Sequence, residues 1–130
     1  PTTVAWIRKN QVDENFDKLA ALLLELARQH EAPGMQLNGR KPPIPAFATH
    51  DQKRVEVAIR TAEEMGMAPQ TYEFQMLHGI RRDLQDDLAA RGYQVRVYVP
   101  FGTHWYPYYM RRLAERPANI WFFASNYIRR

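Results

Sequence analysis

Apolar positions along this chain recur with two alternating periods, first every three to four residues and then every second residue, as in helices that alternate with strands. Phe16, Leu19, Leu22, Leu23 and Leu26 sit at helical spacing. Asp13 is placed to cap that helix and Pro33-Gly34 to end it, and its leucine face is predicted to be core. Residues 35–45 read as a loop and residues 44–49 as a short buried strand. Asp51 is positioned to cap a second helix with the stripe Val55, Ile59, Ala62 and Met65, closed by Gly66. Residues 72–77 form the next strand, Ile80, Leu84 and Leu88 a third helical stripe ending at Gly92, and residues 94–99 the clearest strand of the chain. Pro107 suits the first turn of a fourth helix running to Arg116, and Pro117 opens a terminal helix with Ile120, Phe123, Ala124 and Tyr127 on one face.

Strands separated by helices of this length imply parallel pairing and an α/β fold. Doubly wound sheets and barrels both fit the alternation, and the strand faces favour the barrel. Val95, Val97 and Val99 pack outward on helices, which leaves Gln94, Arg96 and Tyr98 pointing inward. Glu73 and Gln75 alternate with Tyr72, Phe74 and Met76 in the same way. Inward polar residues require partners, which a closed barrel around a polar ligand supplies. A barrel of eight strands takes about 250 residues, so three strands predict the C-terminal portion of a (βα)8 TIM-like barrel, incomplete on its own.

With 130 residues, 45% of them hydrophobic and 25% charged, the chain is expected to form one globular domain over residues 1–130. It has no cysteine, which excludes thiol catalysis, iron-sulfur clusters and thiolate zinc sites. No apolar run is long enough to span a bilayer, and the chain is expected in the cytoplasm. The net charge of +4 is local: five arginines against Glu115 lie in residues 101–130, and the rest of the chain is balanced. Such a cluster is an anion site, a phosphate-facing patch or a solvated tail. Basic residues do interleave with Trp105, Tyr106, Tyr108 and Tyr109, but the modest basicity and the lack of a nucleic-acid motif argue against a nucleic-acid partner.

The stretch YVPFGTHWYPYYMRRLAE, residues 98–115, is the most informative. After the strand the chain turns at Pro100 and Gly102 into a helix on which Tyr108, Arg111, Arg112 and Glu115 share a face, with Tyr109 and Leu113 opposite. Two guanidiniums and a phenol at the end of a barrel strand can clamp a carboxylate. The competing reading is a solvated face with Arg112 paired to Glu115, but Tyr98 reaches the same mouth from inside the barrel. Thr49 and His50 also lie where a strand hands over to a helix, and Asp51 is a cap first and a ligand second. Glu73, Gln75 and Leu77 share one strand face, either as site residues or as a polar pair that satisfies itself. His30, His78 and His104 have no metal-ligand spacing, and P-loop, dinucleotide-fingerprint and serine-elbow motifs do not occur.

Three segments in order, AFATHD (46–51), YEFQMLHGIRRDLQ (72–85) and VRVYVPFGTHWYPYYMRRLAERPANIWFF (95–123), resemble the proline dehydrogenases, in particular the short monofunctional bacterial kind. The resemblance implies a distorted (βα)8 barrel that binds FAD, oxidises L-proline to 1-pyrroline-5-carboxylate and passes electrons to a quinone, with peripheral contact to the inner membrane. It further implies that Arg111 and Arg112 bind the substrate carboxylate and that Tyr98, Tyr108 and Leu77 line the proline pocket. By the same resemblance, Thr49, His50 and Asp51 contact the adenosine end of FAD, and Gln75 and Glu115 belong to the flavin shell. The chain then begins after the family's fifth strand. The family's flavin-side lysine and the acidic residue at the substrate amine fall upstream, and no catalytic residue is assigned within these 130 positions. Two expectations follow: the C-terminal portion of a flavoenzyme completed by an N-terminal barrel half or partner chain, or a truncated, non-catalytic binding module that needs such a partner.

Overall fold

The computed structural model describes residues 6–30, 45–103 and 105–114, with the side chains of Tyr109 and of residues 112–114 left out. Its elements in chain order are α1 (Lys9–Gln29), β1 (Ala46–Ala48), α2 (Gln52–Glu64), a short 3-10 turn (Pro69–Thr71), β2 (Glu73–Leu77), α3 (Arg82–Ala90), β3 (Gln94–Tyr98) and α4 (Trp105–Ala114). The strands form one open parallel sheet in the order β1-β2-β3. Ala46, Phe47 and Ala48 pair with Glu73, Phe74 and Gln75, and the five residues of β2 pair in turn with those of β3, from Glu73 with Gln94 to Leu77 with Tyr98. Three parallel strands joined through helices fit part of a barrel wall.

This register gives the sheet two unlike faces. Phe47, Phe74 and Met76 are buried on one side with Val55, Ala58, Ile59 and Ala62 of α2 and Leu84 and Leu88 of α3. Tyr72 closes that core, with its ring 6.3 Å from Phe47 and 5.9 Å from Phe74, and Val95 and Tyr93 pack against its edge. Each fully buried large side chain here contributes about 1.5–3 kcal/mol relative to exposure. The valines of β3 face this side as expected, except Val99, which lies beyond the strand and is half exposed. Glu73, Gln75 and Leu77, together with Gln94, Arg96 and Tyr98, occupy the opposite face.

α1 departs from expectation. It begins at Lys9 with Arg8 in the cap position, and Asp13 lies inside the first turns, where it pairs with Lys9 one turn earlier. Its buried residues are Ala20, Leu24 and Ala27, with Phe16 packed at the edge, while Leu19, Leu22, Leu23 and Leu26 are 40–53% exposed. The helix is apolar on more than one face, so a hydrophobic count cannot choose the buried stripe. The alanines decide it, because their small side chains let α1 lie close against α2, where Asp17 and Arg54 meet at 2.9 Å. Asp51 caps α2 as read from the sequence, accepting from the Lys53 N–H at 2.9 Å. The expected ending at Pro33-Gly34, most of the 35–45 loop and the terminal helix after Pro117 lie outside the described residues.

Candidate functional site

In a parallel sheet every strand delivers its C-terminal end to the same rim, and here that rim gathers most of the residues singled out above. β1 stops at Ala48, two residues short of the rung reached by Leu77. The ladder between these strands starts with the Glu73 N–H donating to the Pro45 carbonyl. On the same edge but past the last β1 residue, the Leu77 N–H finds the imidazole Nε2 of His50 at 2.9 Å instead of a strand carbonyl. His50 thus extends the sheet by one rung with its side chain. Because Nε2 accepts, the ring is neutral and carries its proton on Nδ1.

Across the rim, Leu77 is in register with Tyr98, whose ring lies 5.8 Å from that of Tyr108 on α4. The Arg111 guanidinium carbon stands 5.9 Å from the centre of the Tyr108 ring, within cation–π range. His50, Leu77, Tyr98, Tyr108 and Arg111 therefore form a continuous run along one edge. Tyr98 and Arg111 remain exposed and Tyr108 half-buried, so a cation and two phenols border accessible space. Such a grouping can hold an anionic group between a guanidinium and hydroxyl donors. Arg112 follows in α4 with its side chain outside the described residues, and Glu115 lies wholly outside them.

The turn from β1 into α2 is ordered by its own polar groups. Thr49 Oγ1 accepts from the Asp51 N–H at 3.1 Å, which leaves the hydroxyl proton to point elsewhere. Asp51 uses Oδ1 for its cap and Oδ2 for Lys9 at 3.4 Å. Burial alone would raise its pKa, but the Lys53 N–H and Lys9 outweigh this and hold it below the usual carboxylate value. Beside this turn runs an open groove of about 940 Å³ whose lining includes Lys9, Lys53, Arg54, Arg60 and Arg81 together with His50, Asp51 and Glu56. Its five cations outnumber its two carboxylates, so the groove suits an anionic group beside the helix N-terminus.

Below the rim, Glu73 is 1% exposed and fully engaged: Gln75 Nε2 donates to its Oε1 at 2.7 Å and Arg96 Nε to both carboxylate oxygens at 2.9 and 3.2 Å. The Glu73 contact pushes Arg96 further toward its charged form. Gln75 is thus first a partner of Glu73, as the self-satisfying alternative anticipated. The part played by Arg96 escaped the sequence reading, although opposite charges on the inward face of two neighbouring strands were its visible signal. Arg81 escaped it too, since no motif marks it.

A sequence profile of the family described as proline dehydrogenase matches residues 2–125. The chain is 44% identical over 119 residues to proline dehydrogenase 2 of Bacillus subtilis (strain 168), covering 92% of this chain and 34% of that protein. It is 40% identical over 129 residues to a proline dehydrogenase of Deinococcus radiodurans, covering 99% of this chain and 37% of that protein. A weaker likeness, 36% over 84 residues, links it to the bifunctional protein PutA of Rhizobium meliloti, covering 61% of this chain and 7% of that protein. The chain spans about a third of the length of these two proline dehydrogenases. With the profile match covering nearly its whole length, the chain belongs to the proline dehydrogenase family.

Proposed function

We propose that residues 1–130 form the C-terminal part of the FAD-binding (βα)8 barrel of a proline dehydrogenase, which oxidises L-proline to 1-pyrroline-5-carboxylate and delivers the electrons to a quinone. The observation that carries this reading is the run of Leu77, Tyr98, Tyr108 and Arg111 along the C-terminal edge of a parallel sheet, in a chain of this family. When bound, FAD supplies the two-electron acceptor.

Arg111, with Arg112 beside it in sequence, holds the proline carboxylate by charge-assisted hydrogen bonds, and Tyr108, Tyr98 and Leu77 shape the ring pocket. Fixing the carboxylate orients the ring carbon next to nitrogen, and orientation is the main contribution these residues make to the rate. The Tyr108 ring keeps Arg111 aimed at the rim by lying under its guanidinium. Thr49 and His50 hold the adenosine end of FAD, with Asp51 shaping the turn, and Gln75 and Glu115 belong to the flavin shell. The remainder of the site comes from an N-terminal barrel half. Electrons reach a membrane quinone by peripheral contact in this reading; among the described residues no helix is long and apolar enough to cross a membrane.

One observation favours a second reading, in which the chain is a non-catalytic binding module that needs a partner segment: the leucines of α1 stay exposed and β1 and β3 have open edges among the described residues. An anaerobic visible spectrum of the purified chain, alone and with an N-terminal barrel half supplied, separates the two. A flavin band that bleaches on adding L-proline is the expected result for the combined sample. A combined sample that binds no flavin leaves the module reading in its place.

A further inference from the structure

Arg81 stands between β2 and α3 with φ 51° and ψ 52°, the only non-glycine residue among those described with a positive φ. A side chain there crowds its own backbone, and such a conformation persists only where its surroundings impose it. The guanidinium supplies the restraint. Nε and Nη2 grip the Asp83 carboxylate at 2.9–3.1 Å, Nη1 donates to the His50 carbonyl at 3.3 Å, and Nη2 also reaches Gln52 Oε1 at 3.2 Å. Gln52 and Asp83 belong to the first turns of α2 and α3, so one planar fork ties two helix starts together. Gln85 steadies the turn that carries Arg81, donating to the Leu77 and Ile80 carbonyls at 3.2 and 2.7 Å. His50 is thereby held at both ends from β2–α3, its backbone by Arg81 and its ring by the Leu77 N–H.

We propose that Arg81 is a positioning residue for the nucleotide end of the flavin. It acts through His50, fixing the 49–51 turn, of which His50 and Asp51 line the groove. The inference rests on the reading of that turn as the adenosine-binding element. It also accounts for the strained backbone at position 81: relaxing that φ would swing the guanidinium away from the His50 carbonyl.

Cofactor-stripped holoprotein, titrated with FAD and separately with ADP, tests this in wild type, R81G and H50A. Glycine adopts the positive φ freely, so R81G removes the guanidinium and keeps the backbone of the turn. R81G is expected to weaken FAD and ADP roughly tenfold, the scale of one lost charge-assisted hydrogen bond. It is also expected to speed amide exchange at Leu77 and to lower the melting temperature slightly through the lost Asp83 contact, while proline affinity at saturating FAD falls less than ADP affinity. R81K keeps a charge without the fork, and it should lose the same affinity if R81G proves hard to fold. ADP binding unchanged in the Arg81 variants but weakened in H50A overturns the role of Arg81 and leaves the nucleotide reading standing. Wild-type ADP binding in H50A removes that reading and the proposal with it. A lowered melting temperature with equal losses for ADP and proline makes Arg81 a purely structural residue and also overturns the proposal.

Discussion

Phe74 and Glu73 are neighbours on β2 and equally shielded from water, at 0% and 1% exposure, yet unrelated forces hold them in place. Phe74 needs only apolar neighbours, and it has them in Phe47, Tyr72 and Tyr93, all within 6.2 Å between ring centres. Glu73 must replace the water it gives up, and Gln75 and Arg96 do so. The helix side of the sheet is therefore tolerant of shape and intolerant of lost volume. The opposite side depends on particular donors, and so it is the side that can be adapted to a polar ligand.

The comparison is broken most severely by Phe74→Ala, which is expected to cost about 3–5 kcal/mol through the cavity it leaves, measured by urea denaturation. A loss below about 1 kcal/mol would mean that the core collapses around the gap and that this face is not close-packed. On the other face, Glu73→Ala removes the carboxylate that the Gln75 amide and Arg96 Nε donate to, with an expected cost of about 2 kcal/mol in the same assay. Glu73→Gln keeps an acceptor for Arg96 and is expected to cost about half as much. Equal losses for the two variants would show that packing rather than hydrogen bonding holds this position.

At the rim, Arg111→Met is expected to raise the Michaelis constant for proline about tenfold in the flavin-loaded enzyme, with melting temperature unchanged. An unchanged constant in steady-state kinetics would remove Arg111 from the substrate. The smallest effect is on the acid limb of stability. Asp83, held down chiefly by its hydrogen bond to Arg81, and Asp51, held down by Lys53 N–H and Lys9 against the opposing effect of burial, both titrate below the ordinary 3.8. Their stabilisation is complete above that unfolded-state value and is lost as pH falls through the lower folded values. The double variant Asp51→Asn, Asp83→Asn should flatten that acid limb in melting curves taken from neutral to acid pH, and a limb identical to wild type would assign acid unfolding to other carboxylates.

The strands were readable in the sequence because β-branched and aromatic residues alternate with polar ones at 73–77 and 94–98, which also fixed the two faces. Asp51 was readable as a cap because its role is local. The stripe of α1 was not, since the choice between Ala20 and Leu19 is made by what packs alongside and not by the helix itself. At the rim, the helical spacing that put Tyr108 and Arg111 on one face is reflected in their contact, whereas the Glu73–Arg96 pair depends on strand register. Arg81 lay furthest from view, because a left-handed backbone and a fork that grips three residues leave no trace in periodicity.

The pairing of Leu77 with Tyr98 sets a rule for length changes as well as for side chains. Between α3 and β3 the chain passes through Arg91, Gly92 and Tyr93, where Gly92 takes φ +84° to turn the corner. Removing or adding one residue in this connection would slide β3 by one position and turn it over, sending Val95 and Val97 to the polar side and Arg96 and Tyr98 into the aromatic core. Two such changes together would restore the faces while shifting the tyrosine by one rung. Insertions and deletions here are thus governed by parity, and this short connector should accept substitutions far more readily than a change in its length.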